Sequence, residues 1–309
     1  MPSNDLRPLS GMEYLRTPDE CFEELVGYPF KANYYEVDSS GMRMHYVDEG
    51  PADGAVVLLL HGEPSWSYLY RKMIPPLIDA GFRVVAPDLI GFGKSDKPVE
   101  QSDYSYQNHM DWLKTLVQGL ELKEINLFCQ DWGGLLGLRM AAELEERFSR
   151  IAAGNTFLPT GEHKPGEAFF QWRDFSQKVK KLPVGRIIGN GCYTKPESEI
   201  LKGYEAPYPD ETYKAGARIF PALVPVDPED PAVPANRKAW EVLQKWKKPF
   251  LCTFSDSDPI TKGADAIFRR KIPGCKGQKH VTIENAGHFL QEDQGEILAK
   301  HLIEFFRAN

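Results

Sequence analysis

The sequence predicts an α/β protein: a mostly parallel central sheet flanked by helices, with a helical cap inserted between two of its strands. Two observations carry this. Short apolar runs alternate with longer helix-like stretches from residue 55 to 130 and again after Pro234. This strand-helix alternation is the mark of a parallel sheet covered on both faces. Between about 158 and 232 the alternation stops, and aromatic-rich helical pieces with many prolines take its place.

Taken in order, Ala55–Leu60 (AVVLLL) reads as a strand, Tyr68–Ala80 as a helix, Arg83–Leu89 (RVVAPDL) as a strand, Gln107–Leu120 as a helix and Ile125–Gln130 (INLFCQ) as a strand leading into a further helix. The proline-rich stretch Pro225–Pro234 (PVDPEDPAVP) reads as an extended segment boundary. Beyond it, Pro249–Ser255 (PFLCTFS) and His280–Ala286 (HVTIENA) are strands of the same sheet, and Gly295–Arg307 is a closing amphipathic helix. The expected division is a core domain over 1–157 and 233–309 and a helical cap over 158–232. A ligand would lie between the cap and the carboxyl ends of the strands.

Composition bounds the function. A chain of 309 residues with 42% hydrophobic and 26% charged residues can bury a large core and needs no disulfide or metal to fold. Its net charge of -7 argues against nucleic-acid binding, and the clusters Lys178, Lys180, Lys181 and Lys245, Lys247, Lys248 read as solvated helix faces. The five cysteines are scattered with no C-x-x-C pair, which suggests neither disulfides nor a zinc site and fits a reducing, cytoplasmic compartment. The first twenty residues lack an apolar core of the signal-peptide kind and Ala55–Leu60 is too short to span a bilayer, so no export and no membrane partner is expected.

The chemistry centres on Asp131. The run INLFCQ, then Asp131-Trp132-Gly133-Gly134, then LLGLRMAAEL is a buried strand, a sharp turn and a helix, the form of the nucleophile elbow of the α/β-hydrolase fold. That turn needs small residues two before and two after the nucleophile, here Cys129 and Gly133, because strand and helix nearly touch. An acid at this junction could equally be a plain helix N-cap. The chain order decides for the elbow: Asp258 follows the strand 249–255 and His288 follows the strand 280–286, so nucleophile, acid and histidine come in sequence. Asp256 competes for the place of Asp258, and Asp258 is preferred because it lies further into the loop, before Pro259. His61-Gly62-Glu63-Pro64 directly follows the strand 55–60, so the backbone N–H groups of Glu63 and Trp132 are the expected oxyanion donors. Gly91-Phe92-Gly93-Lys94-Ser95-Asp96 holds Asp where a dinucleotide fingerprint has its third glycine, and reads as a turn.

At these residues the chain resembles the haloalkane dehalogenases of the subfamily with two halide-binding tryptophans. The likeness runs through residues 61–77, 86–98, 130–138, 207–218 and 286–293. It implies Asp131 as nucleophile, His288 as base with Asp258 as its partner, Trp132 and Trp172 as halide donors through their indole N–H groups, and Phe169 in the substrate pocket. It implies a halogenated alkane and water as substrates, halide as product, and no cofactor or metal; oligomeric state is left open.

A carboxylate nucleophile suits such a reaction. Displacing halide with a serine alkoxide would leave an ether that activated water cannot cleave, whereas a carboxylate leaves a hydrolysable ester. The nearest rival is an epoxide hydrolase, which would protonate the opening ring with cap tyrosines, here Tyr193, Tyr204, Tyr208 or Tyr213. Glu63 after His61-Gly62, where those enzymes resemble H-G-F-P, and Trp172 in the cap weigh against it. A fluoroacetate-type dehalogenase would carry Arg rather than Trp after its nucleophile, and Asp131 in the nucleophile's place argues against a serine esterase. A silent binding protein of the same fold would be expected to have lost Asp131, Asp258 or His288.

Overall fold

The computed structural model describes residues 12–308. Eight strands form one sheet: β1 (Asn33–Glu36), β2 (Arg43–Glu49), β3 (Val56–Leu60), β4 (Arg83–Pro87), β5 (Ile125–Gln130), β6 (Phe148–Gly154), β7 (Phe250–Ser255) and β8 (Val281–Ile283). Their spatial order is β8-β7-β6-β5-β3-β4-β2-β1. From β4 to β8 every pairing is parallel, and β1 and β2 close the far edge antiparallel. All six residues of β5 are buried, which requires cover on both faces of the sheet and fits its mainly apolar sequence.

The chain steps outward from β3 to β4 and then crosses back to place β5 on the other side of β3. This reversal opens a crevice at the carboxyl ends of β3 and β5, where open α/β sheets bind ligands.

Helices α1 (Ile74–Asp79), α2 (Tyr106–Gly119) and α3 (Trp132–Glu143) lie among these strands. Between β6 and β7 come α4 (Glu167–Lys178), α5 (Val184–Gly191), α6 (Ser198–Glu205), α7 (Ala215–Ile219) and α8 (Val233–Leu243), with no strand among them. The chain ends in α9 (Ala264–Lys271) and α10 (Leu290–Arg307). Helix α1 packs on α10, and α3 packs on both α2 and α8.

Four expectations need correction. The helix expected over Tyr68–Ala80 is a 3₁₀ turn, Ser67–Tyr70, followed by the separate short helix α1. Pro75 and Pro76 lack N–H groups and fit only the first turn of a helix, so they force a restart there. The strand expected over His280–Ala286 is only Val281–Ile283, and the closing helix begins five residues early, at Leu290, with Gln294 out of helical conformation. Of the two lysine clusters, only Lys178 lies within a helix, where it pairs with Asp174 one turn earlier. Lys248 instead donates to the carbonyls of Glu145 and Phe148.

The segment Gly91–Asp96 is a turn, with Gly91 and Gly93 at positive φ. Among the described residues no helix is long and apolar enough to cross a membrane, and no group of three or more His, Cys, Asp or Glu could hold a metal ion. The reading of the first eleven residues lies outside the described ones.

Candidate active site

Asp131 sits at φ 50° and ψ -127°, a conformation that costs a side-chain-bearing residue energy and is kept only where the surroundings impose it. They do so from both sides. The Asp131 N–H donates to the Asn155 carbonyl at 3.0 Å, and its carbonyl accepts from the Gly134 N–H at 2.9 Å and from the Thr156 hydroxyl at 2.7 Å. A Cβ on Gly133 would overlap the carbonyl oxygen of Leu60, and one on Gly62 would overlap the Asp131 side chain. Cys129, two residues before Asp131, is fully buried and faces α3 at Gly137, where a Cβ would crowd Leu60 and Leu127.

His61 anchors the loop after β3. Its Nε2 accepts the Leu89 N–H at 2.9 Å, which leaves the Nδ1 proton for the Gly62 carbonyl, also at 2.9 Å. Burial keeps the ring neutral by lowering its proton affinity, against the pull of Asp88. The loop so held turns the Glu63 N–H onto Asp131 Oδ1 at 2.8 Å. The Trp132 N–H opens α3 beside it, at a helix end whose first N–H groups have no intrahelical partner.

The structure brings the three separated residues together. His288 Nε2 lies 3.4 Å from Asp131 Oδ2, and Nδ1 lies 3.2 Å from Asp258 Oδ1, close but without a well-aligned hydrogen bond. Such looseness is common in unliganded sites. Asp258 is 4% exposed and accepts from the N–H groups of Ile260 (2.9 Å) and Thr261 (3.2 Å) and from the Thr261 hydroxyl. Asp256, by contrast, is exposed and accepts the N–H groups of Asn285 and Ala286, so it ties the loop after β7 to the loop after β8.

Burial lowers the proton affinity of His288, but the charge of Asp258 and the contacts with Asp131 outweigh it and raise the imidazole to about 10. Burial likewise pushes the Asp258 carboxyl up, yet His288 and the Thr261 and Ile260 donors bring it down to about 2. Glu63 stands well above the usual carboxylate range, first through burial and then through the like charge of Asp131, with His288 and the Trp172 indole pulling the other way.

Glu63, Asp131 and His288 line a cavity of about 810 Å³. Trp132, Trp172 and Phe169 all line it. Trp132 is buried against Tyr106 and Phe220, with ring centroids at 5.3 and 4.5 Å, while Trp172 reaches the cavity from α4 and is half-buried. Of the four tyrosines considered, only Tyr193 lines the cavity; Tyr204 is fully buried and donates to Glu292 at 2.5 Å.

Several positioning residues escaped the sequence. Gln130 and Asn155 both donate to the His288 carbonyl at 3.1 Å, and Asn155 adds the Gly287 carbonyl at 2.9 Å. Asn155 directly follows β6 at φ 41°, a position Asn tolerates better than most residues.

The family model of the alpha/beta hydrolase fold matches residues 55–294. A haloalkane dehalogenase of Psychrobacter cryohalolentis is 56% identical over 301 residues, covering 96% of this chain and 99% of that one. One of Mycolicibacterium paratuberculosis is 53% identical over 300 residues, with coverage of 96% and 99%. Among solved structures, the tetrameric haloalkane dehalogenase DpaA from Paraglaciecola agarilytica superposes with a TM-score of 0.90 at 37% identity, covering 96% of this chain and all of that one. The chain thus belongs to the alpha/beta hydrolase fold family and, within it, to the haloalkane dehalogenases.

Proposed function

We propose that this enzyme hydrolyses haloalkanes to an alcohol, halide and a proton through a covalent ester on Asp131. The observation that carries the proposal is one cavity wall holding a strained, half-buried carboxylate, an oxyanion donor already on it and a histidine 3.4 Å away, with two tryptophans lining the same space.

In the first step an Asp131 carboxylate oxygen attacks the carbon, the carbon–halogen bond breaks, and the electron pair leaves with the halide. The indole N–H groups of Trp132 and Trp172 are suited to receive it, because they donate without surrendering a proton. A hydrogen bond to a charged partner contributes roughly 1.5–3 kcal/mol. In the second step His288 takes a proton from water as the oxygen attacks the Asp131 carboxyl carbon, and the Glu63 and Trp132 N–H groups stabilise the tetrahedral oxyanion. Collapse expels the alkoxide, which takes the second water proton and leaves as the alcohol. The carboxylate is restored with one oxygen from water and His288 returns to its protonated state, so the net proton released is the one it shed after esterification.

The charges order the two steps. With Asp131 and Asp258 both ionised, His288 is held protonated up to about 10, unsuited to act as base. Esterification removes the Asp131 charge and with it part of that hold, so the ring can shed its proton when hydrolysis calls for a base. Asp258 remains to fix the tautomer and to stabilise the imidazolium that forms.

The proposed division is a core over 1–157 and 233–309 and a cap over 158–232, supported by the absence of any strand between β6 and β7. The five free cysteines support a reducing, cytoplasmic setting. An epoxide hydrolase is less well supported, since a lone exposed Tyr193 would have to protonate the ring oxygen. Bromide release from 1,2-dibromoethane by the wild-type enzyme, lost in Asp131→Asn, tests the proposal; turnover of styrene oxide without bromide release would reverse it.

A further inference from the structure

The histidine loop is tied to the cap by a carboxylate that neither chemical step uses. Asp293, in the first turn of α10, accepts the N–H groups of Tyr193 at 2.8 Å and Gly287 at 2.9 Å on Oδ2. On Oδ1 it accepts the N–H of Thr194 at 2.8 Å and the Thr194 hydroxyl at 2.5 Å. Four donors on two oxygens use the full accepting capacity of a carboxylate.

The joint it closes is tight. The His288 N–H donates to the carbonyl of Gly191, the last residue of α5, at 2.7 Å. A Cβ on Gly287 would overlap that same carbonyl. His288 is therefore held from two directions: its carbonyl from the core by Gln130 and Asn155, its N–H from the cap segment Gly191–Thr194 that Asp293 clamps. Tyr193, 55% exposed, is at once part of that segment and part of the cavity lining.

We propose that Asp293 is a positioning residue for the hydrolytic step: by locking Tyr193–Thr194 to Gly287 it sets the His288 ring against the Asp131 ester. This rests on the ester reading above. An acid in the first turn of a helix also complements the helix dipole, a purely structural role. The two roles separate kinetically, because His288 serves only the second step. A structural loss lowers the amount of active enzyme and scales both steps together, whereas a positioning loss changes their ratio.

The experiment is a rapid-quench time course with 1,2-dibromoethane on wild type, D293N and H288Q, following bromide release and the mass of the Asp131 peptide. In D293N the amide must turn an NH₂ toward backbone N–H donors, which opens the clamp. The expected result is alkylation within about twofold of wild type and ester hydrolysis about tenfold slower, part of the 10²–10⁴ that an oriented general base contributes, so that alkylated Asp131 accumulates. If H288Q accumulates no ester, the ester reading itself fails. If H288Q does while D293N leaves the ratio of the two rates unchanged, the Asp293 proposal is overturned. Should D293N not fold, T194V removes the hydroxyl donor alone, and the same shift in ratio, smaller, is expected; an unchanged ratio overturns the proposal.

Discussion

The Glu63 N–H donates to Asp131 Oδ1 at 2.8 Å before any substrate is bound. The proposed oxyanion donor and nucleophile are thus already in register, at a close approach that leaves no room for a Cβ on Gly62 or Gly133. A donor preorganised in this way does not have to move when charge develops on the carboxyl oxygen.

The first prediction follows from that fit. Gly133→Ala places a methyl against the Leu60 carbonyl and must push α3 away from β3. It is expected to cost about 1–3 kcal/mol of stability, as overpacking does, and to displace Asp131 from the Glu63 donor. Thermal unfolding and bromide release together check this; a stable, fully active variant would contradict it.

The second concerns the two acids of the loop after β7. Asp258→Asn removes the charge facing His288 and is expected to slow ester hydrolysis by up to the 10²–10⁴ that a general base contributes. Asp256→Asn, whose carboxylate binds only the N–H groups of Asn285 and Ala286 and the Ser257 hydroxyl, is expected to leave hydrolysis within about twofold and to cost about 1 kcal/mol of stability. Single-turnover kinetics separate the pair, and the reverse ranking would move the triad acid to Asp256.

The third concerns halide. Trp172→Phe keeps an aromatic ring on α4 and deletes only the indole N–H. If that group receives the leaving halide, its loss of roughly 1.5–3 kcal/mol corresponds to about 10- to 150-fold in the alkylation rate. Ester hydrolysis should change far less. A variant slowed only in hydrolysis would assign Trp172 a different role.

The fourth uses the charge of His288. Its folded proton affinity is raised to about 10, so its ion pairs contribute fully below the ordinary histidine value near 6.5 and are lost as pH rises through about 10. Asp258, held down to about 2, contributes above its ordinary value near 3.8 and loses its contribution as pH falls through about 2. The stability gap between wild type and H288Q should therefore be widest from about pH 4 to 6.5 and close toward pH 10. Denaturant unfolding at several pH values measures it, and a gap that grows toward pH 10 would refute the assignment.

Much of the core is legible because buried parallel strands are rich in apolar residues on both faces, and β3, β4, β5 and β7 are of that kind. The antiparallel strands β1 and β2 were passed over because their partly exposed residues mix polar and apolar types, and β6 because Phe148-Ser-Arg-Ile-Ala-Ala-Gly154 is built of small residues. Asp131 could be read from a local turn, and Asp258 and His288 from their places after strands. Asn155, Gln130 and Asp293 could not. Each makes hydrogen bonds to segments far away along the chain, such as the contact of Asn155 with the His288 carbonyl across 133 residues, and no local pattern encodes those.

The most direct test of an ester on Asp131 is a single turnover of 1,2-dibromoethane with excess enzyme in H₂¹⁸O, followed by mass analysis of the peptide carrying Asp131. One ¹⁸O atom in the Asp131 carboxylate, with unlabelled alcohol, is the predicted result. Label in the alcohol and none in Asp131 would mean that water attacks the substrate carbon directly, and would contradict the mechanism.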